Sequence, residues 1–477
     1  MTCLRTLGLT LLAFALTAAT AAAALITVDT DLDADAADGV CSIREAILAA
    51  NSNAARNECP AGDGDDHIHI AFFKPDTIGL IDHLPPITES VAIHGTGVDL
   101  VIIDGSVSYR PITVEFPSND VSLVVHDLTL RDGRTRIDDF GGGGAMIDGG
   151  ASAVFERVHF VNNSSENSGG GMMVGSGTGN QSHVTLVECV FRGNVAEGPA
   201  GGGGLATTGT GSVVTILRSE FADNHAPESS GGGISGSRGF LTIEASTISG
   251  NSAETNGGGI YSSTAPQGGA SLVLRDVTIT DNTAGTGLTS GSGGGFHLAP
   301  GTDHPLIASM TNTVVAANFD LATITQPDVF CNANFDGFVT TGSNLIGAND
   351  GCGIALPAGS PNADGDFVGS VGAPIDPLLQ PLADHGGPTL IHRPSANPLS
   401  PLIDQGSCPD TVTDQRLYGR VQTGLRVVDV PQVPNAAGGD GCDIGAFERG
   451  ANPLFDDLIF ADGFEFGHSL RWSEDVE

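Results

Sequence analysis

The chain has 477 residues, enough for one to three domains and a substantial core. Its 56 Asp and Glu against 19 Lys and Arg give a formal net charge of -37, which repels nucleic acid and anionic membrane and favours cations or basic surfaces as partners. Glycine supplies 68 residues without the third-residue period of a collagen helix, and aromatic residues make up only 5%, so a fibrous triple helix is excluded.

Arg5, a mostly apolar stretch over 7–19 and small residues over 20–24 have the organisation of a secretory signal peptide spanning 1–24. Cys3 precedes the apolar stretch and is not placed as a lipoprotein cysteine. No later stretch approaches the roughly 20 apolar residues that a membrane helix needs. The mature chain is therefore expected to be secreted or at the cell surface, monomeric, and without a transmembrane segment. Residues 25–60 read as a strand followed by a helix. Ser42 caps that helix, with Glu45 completing a capping box, and Ile43, Ala46, Ile47 and Ala50 share one face. Such a helix would close the open end of a coiled β-structure, whose first turn otherwise exposes apolar side chains and unpaired backbone.

Residues 61–350 carry a repeat, clearest over 121–320. Aligned on the last apolar residue of each strand, the anchors are Leu130, Phe160, Phe191, Phe221, Ile248 and Ile279, with a looser copy at Val315. Asparagine stands three residues after most of them, at Asn163, Asn194, Asn224, Asn251, Asn282 and Asn318, with Gly133 in the first copy. A glycine cluster follows each of the first six, at 141–144, 169–171, 201–203, 231–233, 257–259 and 293–295. Apolar or small residues recur seven, five and two positions before the anchor. The two-residue steps mark one strand face, and the odd step between minus five and minus two marks a bend. Each copy supplies short strands that can bury themselves only by stacking on identical neighbours. The expected fold is all-β: a right-handed, single-stranded parallel β-helix with a small N-terminal helical cap and an irregular C-terminal cap.

The asparagine column is read as a structural ladder at a turn, where the residue tolerates left-handed geometry and can bond its own backbone or its stacked neighbours. Cys189 falls at minus two and is expected inward, as a buried free thiol. The minus-three column, Asp127, Arg157, Glu188, Arg218, Ala245 and Asp276, is expected to face outward as a modest ion-pair strip at an exposed surface. The other cysteines of the mature chain pair by proximity as Cys41–Cys59, Cys331–Cys352 and Cys408–Cys442, in keeping with an oxidising compartment. Beyond about residue 320 the period fades into an irregular cap over 351–450 and a tail over 451–477.

Several stretches resemble known families. Cys41-Ser42-Ile43-Arg44-Glu45-Ala46, followed by Ala50-Asn51, resembles the domain named for its Cys-Ser-Leu-Arg-Glu-Ala motif, with Ile43 in place of Leu. The Gly-Gly-Gly-Ile and Phe-x-x-Asn elements resemble polymorphic outer-membrane-protein repeats and pectate-lyase-like β-helices. The stretches at 384–389, 403–406, 414–416 and 442–448 resemble the C-terminal choice-of-anchor type of domain. The closing stretch around 459–465, with Trp472-Ser473, is similar to a C-terminal motif of exported Gram-negative proteins. The resemblance implies a bacterial extracellular or cell-surface protein and assigns no activity.

For chemistry, the enzyme reading is a polysaccharide lyase or glycoside hydrolase acting on acidic polysaccharide. Its strand-face candidates are Glu188, Glu220, Glu244 and Asp276 with Arg218 and Arg275. Hydrolysis needs carboxylates facing one glycosidic bond at a defined separation, and no polygalacturonase-like signature is present. His159, His225 and His297 are scattered and read as ordinary surface residues. Two oxygen-rich runs are calcium candidates: Asp29, Asp31, Asp33, Asp35 and Asp38, and then Asn362, Asp364 and Asp366. No zinc-ligand spacing, nucleophile elbow or phosphate loop stands out. The sequence thus favours a non-catalytic adhesive, binding or scaffold role toward a glycan or a cell-surface protein, requiring no cofactor.

Overall fold

The computed structural model describes residues 24–453 apart from 115–120, 176–180, 265–268, 288–290, 302–304, 323–327, 332–336, 350–351, 353–355, 409–412, 420, 423–425, 428–432, 437–438 and 451. The expected signal peptide, except residue 24, and the C-terminal motif at 459–473 lie outside the described residues.

The chain winds as a right-handed parallel β-helix. One coil runs through the strands His183–Val187, Val190–Arg192, Val195–Ala196 and Leu205–Thr207. The next repeats them as Val213–Leu217, Glu220–Ala222, His225–Ala226 and Ile234–Ser237, paired in parallel and in register. The inward positions are those the periodicity marks. Val184, Val214 and Leu241 stack at minus seven, and Leu186, Ile216 and Ile243 at minus five, all buried. The anchors Phe160, Phe191 and Phe221 stack ring on ring, with centroids 4.4 and 4.5 Å apart and planes within 7° and 3°. Burying a phenylalanine in such a stack contributes a few kcal/mol per ring, roughly 3–5 on truncation to alanine.

The bends have distinct chemistry. At minus three, Asp127, Arg157, Glu188, Arg218, Ala245 and Asp276 all hold φ between 46° and 59°. This left-handed residue turns the chain between the two-residue steps. The column is largely buried rather than lying at an exposed surface, because the left-handed residue tucks its side chain into the corner. At the opposite corner the left-handed residue is the one before each asparagine, such as Asn162, Asp223 and Asp281, and not the asparagine itself. The glycine clusters mark the closest passage between coils. Gly231 needs φ +71°, and a Cβ on Gly232 would lie 2.4 Å from the Ser252 carbonyl of the next coil. Any side chain there would push two coils apart.

At the N-terminal end, the strand Leu25–Val28 pairs with Asp66–Ile70 as the first rung. The helix Ile43–Ser52 covers it, with Ile43, Ala46, Ile47, Ala49 and Ala50 buried and the Ser42/Glu45 capping box formed. The three disulfides Cys41–Cys59, Cys331–Cys352 and Cys408–Cys442 are present. At the other end, Phe367–Ser370 pairs with Leu345–Asn349. The chain then folds back, and described residues between 389 and 446 bond to the side of the coils. Gln415 accepts from Thr247 Oγ1 at 2.6 Å and donates to Thr389 Oγ1 at 2.8 Å. His392 meets Ser249 Oγ at 2.8 Å, the Ala446 N–H donates to Thr278 Oγ1, and Asn312 Nδ2 donates to the Asp443 carbonyl. Inside this segment, Arg416 pairs with Asp414 and lies over the rings of Phe447 and Tyr418 at 3.8 and 4.3 Å. The stretches that resemble an anchor domain thus form one interlocked strap against the helix.

Candidate functional site

The asparagines sit inside the helix, fully buried. Each side-chain oxygen accepts both the backbone N–H and the side-chain N–H of the asparagine one coil earlier. Asn194 does so for Asn163 at 3.0 and 3.0 Å, Asn224 for Asn194 at 3.0 and 2.8 Å, and Asn251 for Asn224 at 2.9 and 2.9 Å. Asn282 and Asn318 continue the run. Each Nδ2 also donates to a carbonyl, as Asn224 does to Phe191. No polar atom of this column is left to bind a ligand. Cys189 is fully buried between coils, donates to the Phe155 and Val187 carbonyls, and burial pushes its thiol up to about 12.

The strand-face candidates do not converge. Arg218 pairs with Glu188 at 3.2 Å, as Arg157 does with Asp127 at 2.7 Å. Glu244 and Arg275 stand opposite each other on adjacent coils. Asp276 is buried and accepts from Asn312 Nδ2. Glu220 is buried under the strap, paired with Arg192 and accepting from the Leu390 N–H at 2.9 Å; burial raises its carboxyl above the usual range despite Arg192.

The calcium candidates are dispersed in the same way. Asp33 is buried against Arg44 and accepts from the Ile81 N–H, and Asp35 pairs with Arg56. Asp29 accepts from the Cys41 N–H, and Asp38 from the Val40 N–H. Asp31 lines a shallow cleft with Asp29, Lys74 and Asp76. Asn362 folds onto the N–H groups of Asp364 and Asp366, while Asp366 is itself buried and accepts from Asn344.

Two surfaces remain. The first is a cleft of about 470 Å³ at the seam between strap and coils, lined by Arg192, Asp223, Ser249, Asp281, Leu390 and His392. Asp223 and Asp281 are exposed, two coils apart, with Gly250 between them on the intervening coil. His392 is buried, bridging Ser249 and the Gln380 carbonyl, and burial lowers its basicity.

The second surface is a histidine column on the first coils. His67 and His69 alternate on the outward face of Asp66–Ile70. His94 lies in register with His69, and His126 in register with His94. His67 Nδ1 lies 2.8 Å from His94 Nε2, and His94 Nδ1 touches His126 Nε2. His126 Nδ1 in turn meets Asp127 at 2.7 Å. Burial, then the neighbouring imidazoles, hold His94 down to about 4 and lower His69 as well. For Asp127, burial opposes ionisation, but hydrogen bonds from His126 and Arg157 outweigh it and hold the carboxyl at about 2. The His67-x-His69 alternation is the signal of this column in the sequence. Of the scattered histidines, His159 is half-buried, with burial lowering it to about 4; His225 bonds Ser252; and His297 is buried against Ser292 rather than on the surface.

Residues 132–300 match a family described as the right-handed β-helix region. Among solved structures, the crystal structure of pectate lyase Pel9A is similar over 89% of this chain and 96% of that one, with 12% identity and a TM-score of 0.38. No curated protein sequence matches the chain. The central coils are therefore similar to right-handed β-helices, and the chemistry of the chain has to be read from its own side chains.

Proposed function

We propose that this chain is an exported, extracellular β-helix that binds polysaccharide without cleaving it, with the seam cleft as the binding site. The observation that carries this reading is the engagement of four of the six strand-face candidates, the other two, Glu244 and Arg275, being a single carboxylate with a guanidinium opposite it. Glu188, Glu220, Asp276 and Arg218 are held in pairs or buried, so none is free to transfer a proton to a sugar. Asp223 and Asp281 remain exposed beside Arg192 in the cleft, and carboxylates and guanidinium in such a groove accept from and donate to sugar hydroxyls. Three disulfides and the signal-peptide-like start support export.

One observation favours a second reading, a glycoside hydrolase. Two coils at roughly 4.8 Å each separate Asp223 from Asp281 by about 10 Å, close to the spacing of an inverting carboxylate pair. Titrating neutral and uronate oligosaccharides into the protein by calorimetry, with product ends assayed in the same samples, tests both readings. Binding without product, weakened in Asp223→Asn/Asp281→Asn and unchanged in Arg218→Ala, is the expected result. Newly reducing ends that vanish in Asp223→Asn would install the hydrolase instead. Binding unaffected by the double substitution would remove the cleft from consideration.

A further inference from the structure

The geometry points to a transition-metal site on the outward face of the first coils, in which His67, His69 and His94 coordinate one divalent cation of the zinc, copper or nickel class. It is independent of the polysaccharide reading, which concerns the later coils from Arg192 to Asp281.

The three side chains converge because of strand parity and register. Alternation puts His67 and His69 on one face of a single strand, and parallel pairing sets His94 directly beside His69 on the next coil. One ring nitrogen of each lies within 4.8 Å of the others. The rings of His69 and His94 have centroids 4.4 Å apart, and those of His67 and His94 stack at 5.0 Å with planes 10° apart. Nitrogens about 2.0–2.1 Å from a central zinc stand a little over 3 Å from one another, so small ring rotations take this cluster to coordination distance. Imidazole ligands select borderline ions over calcium and magnesium, which prefer oxygen.

A second, separate feature orients the cluster. The Asp127 carboxylate only accepts, and it is fixed by Arg157 through two N–H bonds at 2.7 and 3.0 Å. It therefore takes the Nδ1–H of His126. The Nε2 of His126 is left as an acceptor, so His94 donates its Nδ1–H there and turns the lone pair of Nε2 toward His67. This carboxylate–imidazole relay is the outer-shell arrangement that fixes the tautomer of a metal-binding histidine. Without an ion, His67 Nδ1–H donates to His94 Nε2. With one, that proton moves to His67 Nε2, the other neutral tautomer, and both nitrogens face the metal as lone pairs with no net proton released. His69 is exposed, so the site opens to solvent and water completes the coordination shell. Among the described residues, the strap's hydrogen bonds to the coils lie on later coils, from Arg218 to Asn312, away from this face. The net charge of -37 raises the local concentration of cations.

The test uses the full exported chain, stripped with chelator and dialysed, with Zn²⁺ alone titrated calorimetrically and Co²⁺ followed by its visible absorption. Saturable binding of one ion per chain is expected, with an imidazole-type cobalt spectrum and no displacement by excess Ca²⁺. His69→Gln changes an exposed side chain and keeps the fold; it should weaken binding at least about tenfold, and Asp127→Asn about 10- to 100-fold through the relay. Circular dichroism of each variant confirms folding, and His67→Gln provides an independent ligand removal. Absence of zinc binding in the wild type, equal affinity in His69→Gln and His67→Gln, or complete displacement by Ca²⁺ would overturn the site.

Discussion

Asp328 accepts the backbone and the side-chain N–H of Asn318 at one carboxylate oxygen, at 2.7 and 2.8 Å, and takes the Ala348 N–H at the other. It thereby ends a ladder that enters through the Gly133 N–H bonding to Asn163. Burial pushes this carboxyl up to about 7 against the pull of its three donors. A carboxyl raised above its unfolded value stabilises the fold fully below about pH 4 and loses that contribution as pH rises through 7. Asp328→Asn removes the titration but sets an amide donor against one of the N–H groups. The stability of the wild type relative to this variant should therefore fall between pH 4 and 7, measured by denaturant unfolding at several pH values.

Within the ladder, Asn224→Ala orphans the Asn194 N–H and Nδ2–H in a dry interior and removes the bond to the Phe191 carbonyl. At about 1–3 kcal/mol per unsatisfied buried group, the loss should reach roughly 2–6 kcal/mol. Asn224→Asp keeps the acceptor and should cost less at low pH. Thermal unfolding of the two variants, compared at pH 4 and pH 8, separates the acceptor role from the donor role.

Cys189 should resist alkylation in the folded protein at pH 8 and react within minutes in denaturant, because it is buried and its thiol is held near 12. Ser219 occupies the same position one coil later, accepting the Cys189 N–H and donating to the Leu217 carbonyl. Cys189→Ser can repeat that pattern and should change stability by no more than about 1 kcal/mol. Ser219→Ala leaves a buried N–H without its acceptor and should cost about 1–3 kcal/mol.

The strap is held on the last coils by apolar packing of Leu402 and Ile444 against Val314, Ala316 and Leu345 and on the middle coils by polar contacts, so Gln415→Ala should act locally. It removes the acceptor for Thr247 and the donor to Thr389. Amide exchange and limited proteolysis over residues 376–448 should accelerate, by roughly tenfold or more for one to two lost bonds. Exchange in the strands Val213–Leu217 and Phe240–Glu244 should stay slow. Uniform acceleration would show that strap and coils unfold together.

The coil itself was legible because its inward positions repeat. Val184, Leu186 and Phe191 follow a parity that the next coil copies in Val214, Ile216 and Phe221. Parity misled at minus three, where a left-handed residue between two strands turns Asp127 and Asp276 into the corner. On the middle coils the strap docks through Gln415, Thr247, His392 and Ser249, whose polar pattern carries no apolar signal, and its apolar contacts, Leu402 and Ile444, are too few and too far apart to show a period. The histidine column was hidden for another reason. His67, His69 and His94 lie on coils that precede the clear repeat, and His126, which touches His94 from 32 residues away, lies in its first copy, where no asparagine stands after the anchor.

The direction of the ladder bears on how long such a molecule can be. Every rung between Asn163 and Asn318 presents the same acceptor to one side and the same donors to the other. A duplicated coil inserted among them would join without leaving any group unsatisfied, and a deleted one would close over its gap. Past Asp328 that freedom ends, because a carboxylate has no N–H to offer another asparagine. Evolution can lengthen this rod from within by whole turns, while its far end stays where an acidic residue has been placed to finish it.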